Sequence, residues 1–231
     1  MLDFHLHLSR FLDPKAIAGE LLEAGVQFNN IACEPWEWEK SLELGFAGAF
    51  GIHPMIAARS SREDLKRLEE ILHSNEDFAV GECGLDKRFQ GYEEGGIQEQ
   101  IFKKQVELAC GLNRTLQVHC VGDYGRILHI IQDVYAGKKS DSSSIPPVIL
   151  HRFGGNISAV RFAIKTLGSQ AVFSLHPDSF RKKSTWTALK EIPSSQIRFE
   201  TDADDESWTA AKIMAALRDV QRQYADLFSK L

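Results

Sequence analysis

Residues 1–8 read MLDFHLHL, and the fold turns on what this opening is. As a strand it sends Asp3, His5 and His7 to one face and Phe4, Leu6 and Leu8 to the other, because residues i and i+2 share a side. One reading makes the polar face a solvated surface. The other buries it, which is costly unless something satisfies the three side chains. A metal ion does so directly, since neutral imidazole is a common ligand. The choice depends on whether the rest of the chain repeats the arrangement.

It does repeat. Further apolar runs predict strands at 26–33, 46–52, 77–82, 115–119, 147–151, 170–175 and 196–201, with the first at 1–6. Between and after them, amphipathic patterns predict helices at 14–24, 35–44, 60–74, 95–112, 123–136, 156–167, 185–191 and 207–230. Helix-start signals agree: Asp13-Pro14, and Ser60 and Ser61 ahead of Glu63 and Asp64. Strict alternation of strand and helix argues for a parallel sheet, and eight units argue for a closed (β/α)₈ TIM-type barrel in a compact variant. An open doubly wound sheet is the structural rival. The chain is expected to form one domain over 1–231, with GKKSDSSSIPP (137–147) as a surface loop rather than a linker.

Composition narrows the function classes. The 231 residues are 43% hydrophobic and 26% charged, ordinary for a globular protein with a real core. No run approaches the ~18 apolar residues of a membrane span, and the opening lacks the basic and apolar regions of a signal peptide. The four cysteines (33, 83, 110 and 120) form no CxxC pair, which suits a reducing, cytoplasmic location, and they read as small buried hydrophobes. A net charge of −5 argues against a protein that coats duplex nucleic acid. It argues less against an enzyme that takes in one phosphate, because a bound metal supplies local positive charge.

The polar residues then fall into register. His5 and His7 close strand 1, His53 (GIHP) strand 3, Glu82 (GECGLD) strand 4, His119 (QVHC) strand 5, and His151 (ILHRF) strand 6. His176 (SLHP) follows strand 7 and Asp202 (FETD) closes strand 8; only strand 2, ending Cys33-Glu34, is ambiguous. In a barrel these ends converge on one mouth, where such folds place their chemistry. Histidine with carboxylate suits borderline divalent cations, one or two of them, without separating Zn, Mn, Mg or Fe. A carboxylate such as Glu82 can bridge two ions, and the glycines of GECGLD permit close backbone approach.

Taken in order, DFHLH, GIHP, AVGECGLD, Gln98 and Phe102 within IQEQIFKKQVELA, QVHC, LHRFGGN and ETDAD resemble the TatD family of metal-dependent deoxyribonucleases, within the amidohydrolase-like barrel superfamily. The resemblance covers almost the whole chain. It implies a metallohydrolase that cleaves phosphodiesters, acting on DNA ends or short oligonucleotides. It further implies that His5, His7, Glu82 and Asp202 hold one ion and Glu82, His119 and His151 a second. His53 would sit just outside, orienting a phosphate or the water, and Asp202 would take the proton from that water.

Three positions depart from the family pattern. After ETD the chain runs on as ADDESW, acidic and without the usual proline; HCVGDYGR offers only Arg126 where an arginine closer to the histidine is usual; and Arg152 replaces the cysteine of His-Cys-Phe. Asp204, Asp205 and Glu206 beside the mouth would repel a polyanion. Two alternatives therefore stay open: a two-metal hydrolase of a small ester, lactone or amide, and a catalytically silent metal-binding protein. Arg88 and His176 are further candidates for substrate contact, beside His53. Arg152 is expected to point away from His151, and the run Arg181-Lys182-Lys183 reads as a solvated face. No membrane or protein partner is implied.

Overall fold

The apolar runs form eight short strands: β1 (Leu2–Leu6), β2 (Gln27–Ala32), β3 (Gly48–Phe50), β4 (Ala79–Asp86), β5 (Leu116–Val121), β6 (Val148–Leu150), β7 (Ala171–Leu175) and β8 (Ile197–Phe199). Each is followed by a helix: α1 (Pro14–Glu23), α2 (Pro35–Leu44), α3 (Arg62–Ser74), α4 (Ile97–Leu112), α5 (Tyr124–Ala136), α6 (Ile157–Leu167), α7 (Lys183–Leu189) and α8 (Ala210–Asp226). The structure, a computed structural model, describes residues 1–136 and 145–229. Of the loop expected at 137–147, residues 137–144 lie outside the described residues.

All eight strands are parallel and pair in chain order. A parallel bridge between Leu6 and Ala203, with the His7 amide donating to the Ala203 carbonyl at 2.8 Å, joins the last unit to the first. The result is a barrel rather than an open sheet. Helix starts sit where the sequence signals them: the Asp13 carboxylate accepts from the Ala16 amide, and Ser61 and Asp64 form a reciprocal capping box. No helix among the described residues is long and apolar enough to cross a membrane.

The polar face of β1 is buried inside the barrel. Asp3 is sealed there, accepting from the Thr201 hydroxyl at 2.6 Å and from the amides of Thr201 and His5, each at 3.1 Å. Burial nevertheless pushes its carboxyl up to about 7. On the other face, Leu6 packs with Ala210, Ile213 and Leu217 of α8. The barrel therefore keeps its apolar core between strands and helices and a polar axis within.

Several boundaries differ from expectation: β6 and β8 end at Leu150 and Phe199, so His151 and Asp202 lie past them, and β5 runs on beyond His119 to Val121. Glu82 does not end its strand, because β4 runs on to Asp86, with its pairing to β5 shifted between Val80 and Cys83. The close backbone approach expected of the glycines is what they provide, letting β4 lie tight against β5. A Cβ at Gly81 would stand 2.3 Å from the Gln117 carbonyl oxygen, and one at Gly84 1.9 Å from that of His119. Both have positive φ, +126° and +151°.

Candidate metal centre

Glu82 is the centre of the site, and its two oxygens face different partners. Oε1 lies 2.6 Å from His119 Nδ1, 3.4 Å from His151 Nε2 and 3.7 Å from His53 Nε2. Oε2 lies 3.2 Å from His5 Nε2, 3.8 Å from His7 Nε2 and 3.5 Å from Cys33 Sγ. Asp202 stands on the second side, its Oδ1 3.5 Å from His7 Nε2 and 3.8 Å from His5 Nε2. The residues singled out at five strand ends and on β4 thus meet around one carboxylate.

Carboxylates that the sequence reading passed over support the imidazoles from behind. Glu200 Oε1 is 2.9 Å from His151 Nδ1 and accepts from the Arg152 amide at 2.6 Å. Asp86 Oδ2 is 3.0 Å from His119 Nε2. Such partners fix ring orientation and tautomer. Both acids lie inside quoted motifs, Glu200 two residues before Asp202 and Asp86 closing GECGLD. Gln98 of α4 holds the end of β4, its side chain accepting from the Asp86 amide at 2.8 Å and donating to the Asp86 carbonyl at 3.0 Å. Cys33, at the end of the strand whose role the sequence leaves ambiguous, is buried as expected, and its thiol also faces Glu82 and His7.

The electrostatics ask for a cation. Burial pushes the Glu82 carboxyl up, but His151, His53 and His5 outweigh it and hold the group well below the usual carboxylate range. Asp202 is likewise held low against burial by His151 and His7. Burial keeps His5 neutral and drives His53 down to about 3. Burial opposes charge on His151 too, yet Glu200, Glu82 and Asp202 raise it to about 10. His119 is raised by Asp86 and Glu82 against the same burial. Among the described residues, Nδ1 of the fully buried His5 has no hydrogen-bond partner, and its Nε2 meets only the carboxylates of Glu82 and Asp202, at 3.2 and 3.8 Å and outside hydrogen-bond geometry, an expensive arrangement unless a ligand fills the gap. Among the described residues, four sets of three donors, His5-His7-Asp202 and His53-Glu82-His119 among them, each have their ligand atoms within 4.8 Å of one another and could hold a metal ion. The donor set fits a divalent cation.

The rim differs from expectation at Arg152. It takes a left-handed conformation, φ 44°, which turns its side chain into the mouth instead of away from His151. Its Nη1 donates to Asp202 Oδ2 at 2.5 Å and its Nη2 to Asp178. Arg88 also lines the mouth and pairs with Asp86, Nε to Oδ1 at 2.9 Å. Arg126 is spent elsewhere, on Glu99 and the Tyr92 carbonyl. His176 Nδ1 accepts from the Asp178 amide at 3.1 Å, so that ring caps the turn after β7. All three acids of the loop are exposed, and of them only Asp204 also lines the mouth.

Comparison with known proteins agrees with this geometry. Residues 2–227 match the family model for TatD related DNase. The chain is 29% identical over 230 residues to the human "Deoxyribonuclease TATDN3", covering 88% of this chain and 77% of that protein. It is 28% identical to the "3'-5' ssDNA/RNA exonuclease TatD" of Cronobacter turicensis, covering 66% of this chain and 55% of the relative. Another human relative, "3'-5' RNA nuclease TATDN2", is 28% identical over 72% of this chain but only 21% of its own length. The chain thus spans between about a fifth and about half of several curated relatives it matches. In fold, it superposes on the TatD homologue YJJV of Escherichia coli with a TM-score of 0.76 at 19% identity, over 99% of this chain and 95% of that one.

Proposed function

The chain belongs to the family of TatD-related DNases, and from that premise we propose that it is a metal-dependent hydrolase of phosphodiester bonds in nucleic acid. The observation that carries the reading is the division of Glu82: three imidazoles at one oxygen, two and a thiol at the other. On this reading His5, His7, Asp202 and Glu82 would hold one divalent ion, and Glu82, His119 and His151 a second. His53, 3.7 Å from Glu82, falls within the 2.6–3.8 Å spanned by the imidazoles of these ligands and stands ready either to join them or to orient the phosphate. A divalent ion there would supply Lewis acidity toward a phosphoryl oxygen and a source of nucleophilic water at neutral pH.

The chain's own residues divide the remaining work. Asp202 is the most open of the cluster's acids, its side chain 12% exposed against 3% for Glu82 and 0% for Glu200 and Asp86. It is therefore the carboxylate that an incoming water can reach, and we assign it the role of general base. Arg152 holds its Oδ2, leaving Oδ1 turned to His5 and His7. Arg88 and Arg152 present guanidinium groups where a phosphate would arrive. Four cysteines with no CxxC pair among them support a reducing compartment such as the cytoplasm.

The test strips the purified protein with a chelator and reloads it with Mn²⁺, Mg²⁺ or Zn²⁺. It then runs single-stranded DNA, a chromogenic phosphodiester and a chromogenic carboxylic ester in parallel. Metal-restored cleavage of the two phosphodiesters is expected. Turnover of the ester alone would overturn the reading in favour of a small-molecule hydrolase, and no turnover with full metal content would favour a silent binding protein.

A further inference from the structure

The mouth does not end at the metal ligands. A cavity of about 450 Å³ over Glu82 and Asp202 adjoins a second of about 400 Å³, with His119, His151, Arg152 and Asp178 in the shared wall. The second adjoins a third of about 410 Å³ through Gly122, Tyr124, Gly154 and Lys182. Together they form a groove leaving the centre past the loops after β5, β6 and β7.

The charge of its middle section is opposite to that of the chain, while the far end sets Asp123 beside Lys182. Lys87, Arg152, Arg181 and Lys182 line the middle section against one carboxylate, Asp178, in a protein of net charge −5. Asp178 is already held between Arg152 and Arg181, the latter at 2.8 Å. Lys87 and Lys182 have no ion-pair partner among the described residues. Three of these cations come from three separate loops, so this is no local charge run. Aromatic rings stand at intervals along it: Phe89 in the mouth, Tyr124 in the middle and Phe162 at the far end. Gly154 and Gly155 keep its floor free of side chains, and the first turns of α5 and α6 close the far end with the positive poles of two helices. A cationic groove with spaced aromatic rings is how proteins track a single strand without reading its sequence.

We propose that this groove holds a single strand of nucleic acid by its phosphates, with Arg152 nearest the scissile bond and Arg181 and Lys182 gripping the strand beyond it. The inference rests on the phosphodiesterase reading and names the path its substrate takes. Asp204 guards the β8 side of the mouth, so a polyanion is turned away there and admitted along the β5–β7 side.

The experiment measures fluorescence anisotropy of labelled oligothymidylates of two, four, eight and twelve nucleotides, in chelator so that nothing is cleaved. Wild-type affinity should rise with length and then level off. In the double variant Arg181→Glu, Lys182→Glu the octamer should bind about tenfold more weakly, while the dimer changes little. With Arg181→Gln, Lys182→Gln, the slope of log affinity against log salt should fall by about 1.4, two contacts at ~0.7 each. Affinity that ignores length, or variants that bind like wild type, would overturn the groove. A blunt duplex bound as tightly as the single strand would overturn its restriction to one strand. Length-dependent binding lost in the variants of a protein that cleaves no phosphodiester would support the groove and sink only the enzymatic reading. Cleavage that persists with length-independent binding would do the reverse.

Discussion

The floor of the mouth and its rim are built on different terms. On the floor, His5, His7, Glu82, His119 and His151 come from strands or the residues just past them, and all four rings lie within 3.8 Å of the Glu82 carboxylate. On the rim, Arg152, Asp178, Arg181 and Lys182 come from loops and turns, and their guanidinium and ammonium groups reach toward solvent. Asp202 belongs to both, one oxygen toward His5 and His7 and the other on Arg152. Rigid strands give the precision that metal ligation needs. Loops give a surface that can suit one substrate or another without disturbing the centre.

If that division is right, damage to the floor should be severe and indivisible. Glu82→Gln is the strongest case, because one charge serves both sides of the cluster. Phosphodiester cleavage should fall well beyond the roughly 10–100-fold that losing a supporting partner costs, and metal analysis should show at least one ion lost. The barrel should stay folded by circular dichroism, since glutamine keeps the shape and removes a buried charge. Full metal content with wild-type turnover would remove Glu82 from the centre and erase the distinction between floor and rim.

The same division explains what could be read in advance. Strand and helix periodicity gave all eight units, and the floor followed because strand ends converge by topology, so residues far apart in sequence acquire a common address. Glu200 and Asp86 escaped notice because a residue two places from a ligand gives no sign of which ring it supports. The rim escaped for a different reason. The acidic run at 204–206 is contiguous and stands out, whereas Lys87, Arg152 and Arg181 are scattered over three loops and add up only in space. Arg152 was misdirected by strand alternation, which stops applying once φ turns positive. A local charge count therefore weighs the acidic flank of the mouth heavily and takes the basic run Arg181-Lys182-Lys183 for a solvated face.

Arg152 tests the boundary between the two regions. Arg152→Ala removes the guanidinium from Asp202 and Asp178 but replaces no proposed ligand. The KM for single-stranded DNA should rise about tenfold, or roughly 1.4 kcal/mol, with metal content unchanged. Loss of metal would instead place Arg152 on the floor. Arg152→Gly should show the same KM but be more stable than Arg152→Ala by about 1 kcal/mol, since only glycine takes φ 44° without steric cost. In a chain of this size that is a Tm difference of about 2–4 °C, and its absence would mean that the backbone there is not strained.

The smallest effect belongs to the acidic flank. All three acids are exposed, but only Asp204 lines the mouth, and Asp205 and Glu206 act on a substrate only through their field. That field is screened over ~8 Å at physiological salt and reaches much farther at low salt. Changing all three (Asp204→Asn, Asp205→Asn and Glu206→Gln) should therefore lower the KM for single-stranded DNA about two- to threefold at low ionic strength, through faster encounter. The gain should shrink toward nothing as salt rises, and kcat should not move, because the charges sit outside the cluster. A neutral chromogenic ester should show no gain at any salt. Insensitivity of the DNA reaction at every ionic strength would mean that the polyanion never passes this flank. Approach would then run wholly along the basic side, and the rim would be one-sided in function as well as in charge.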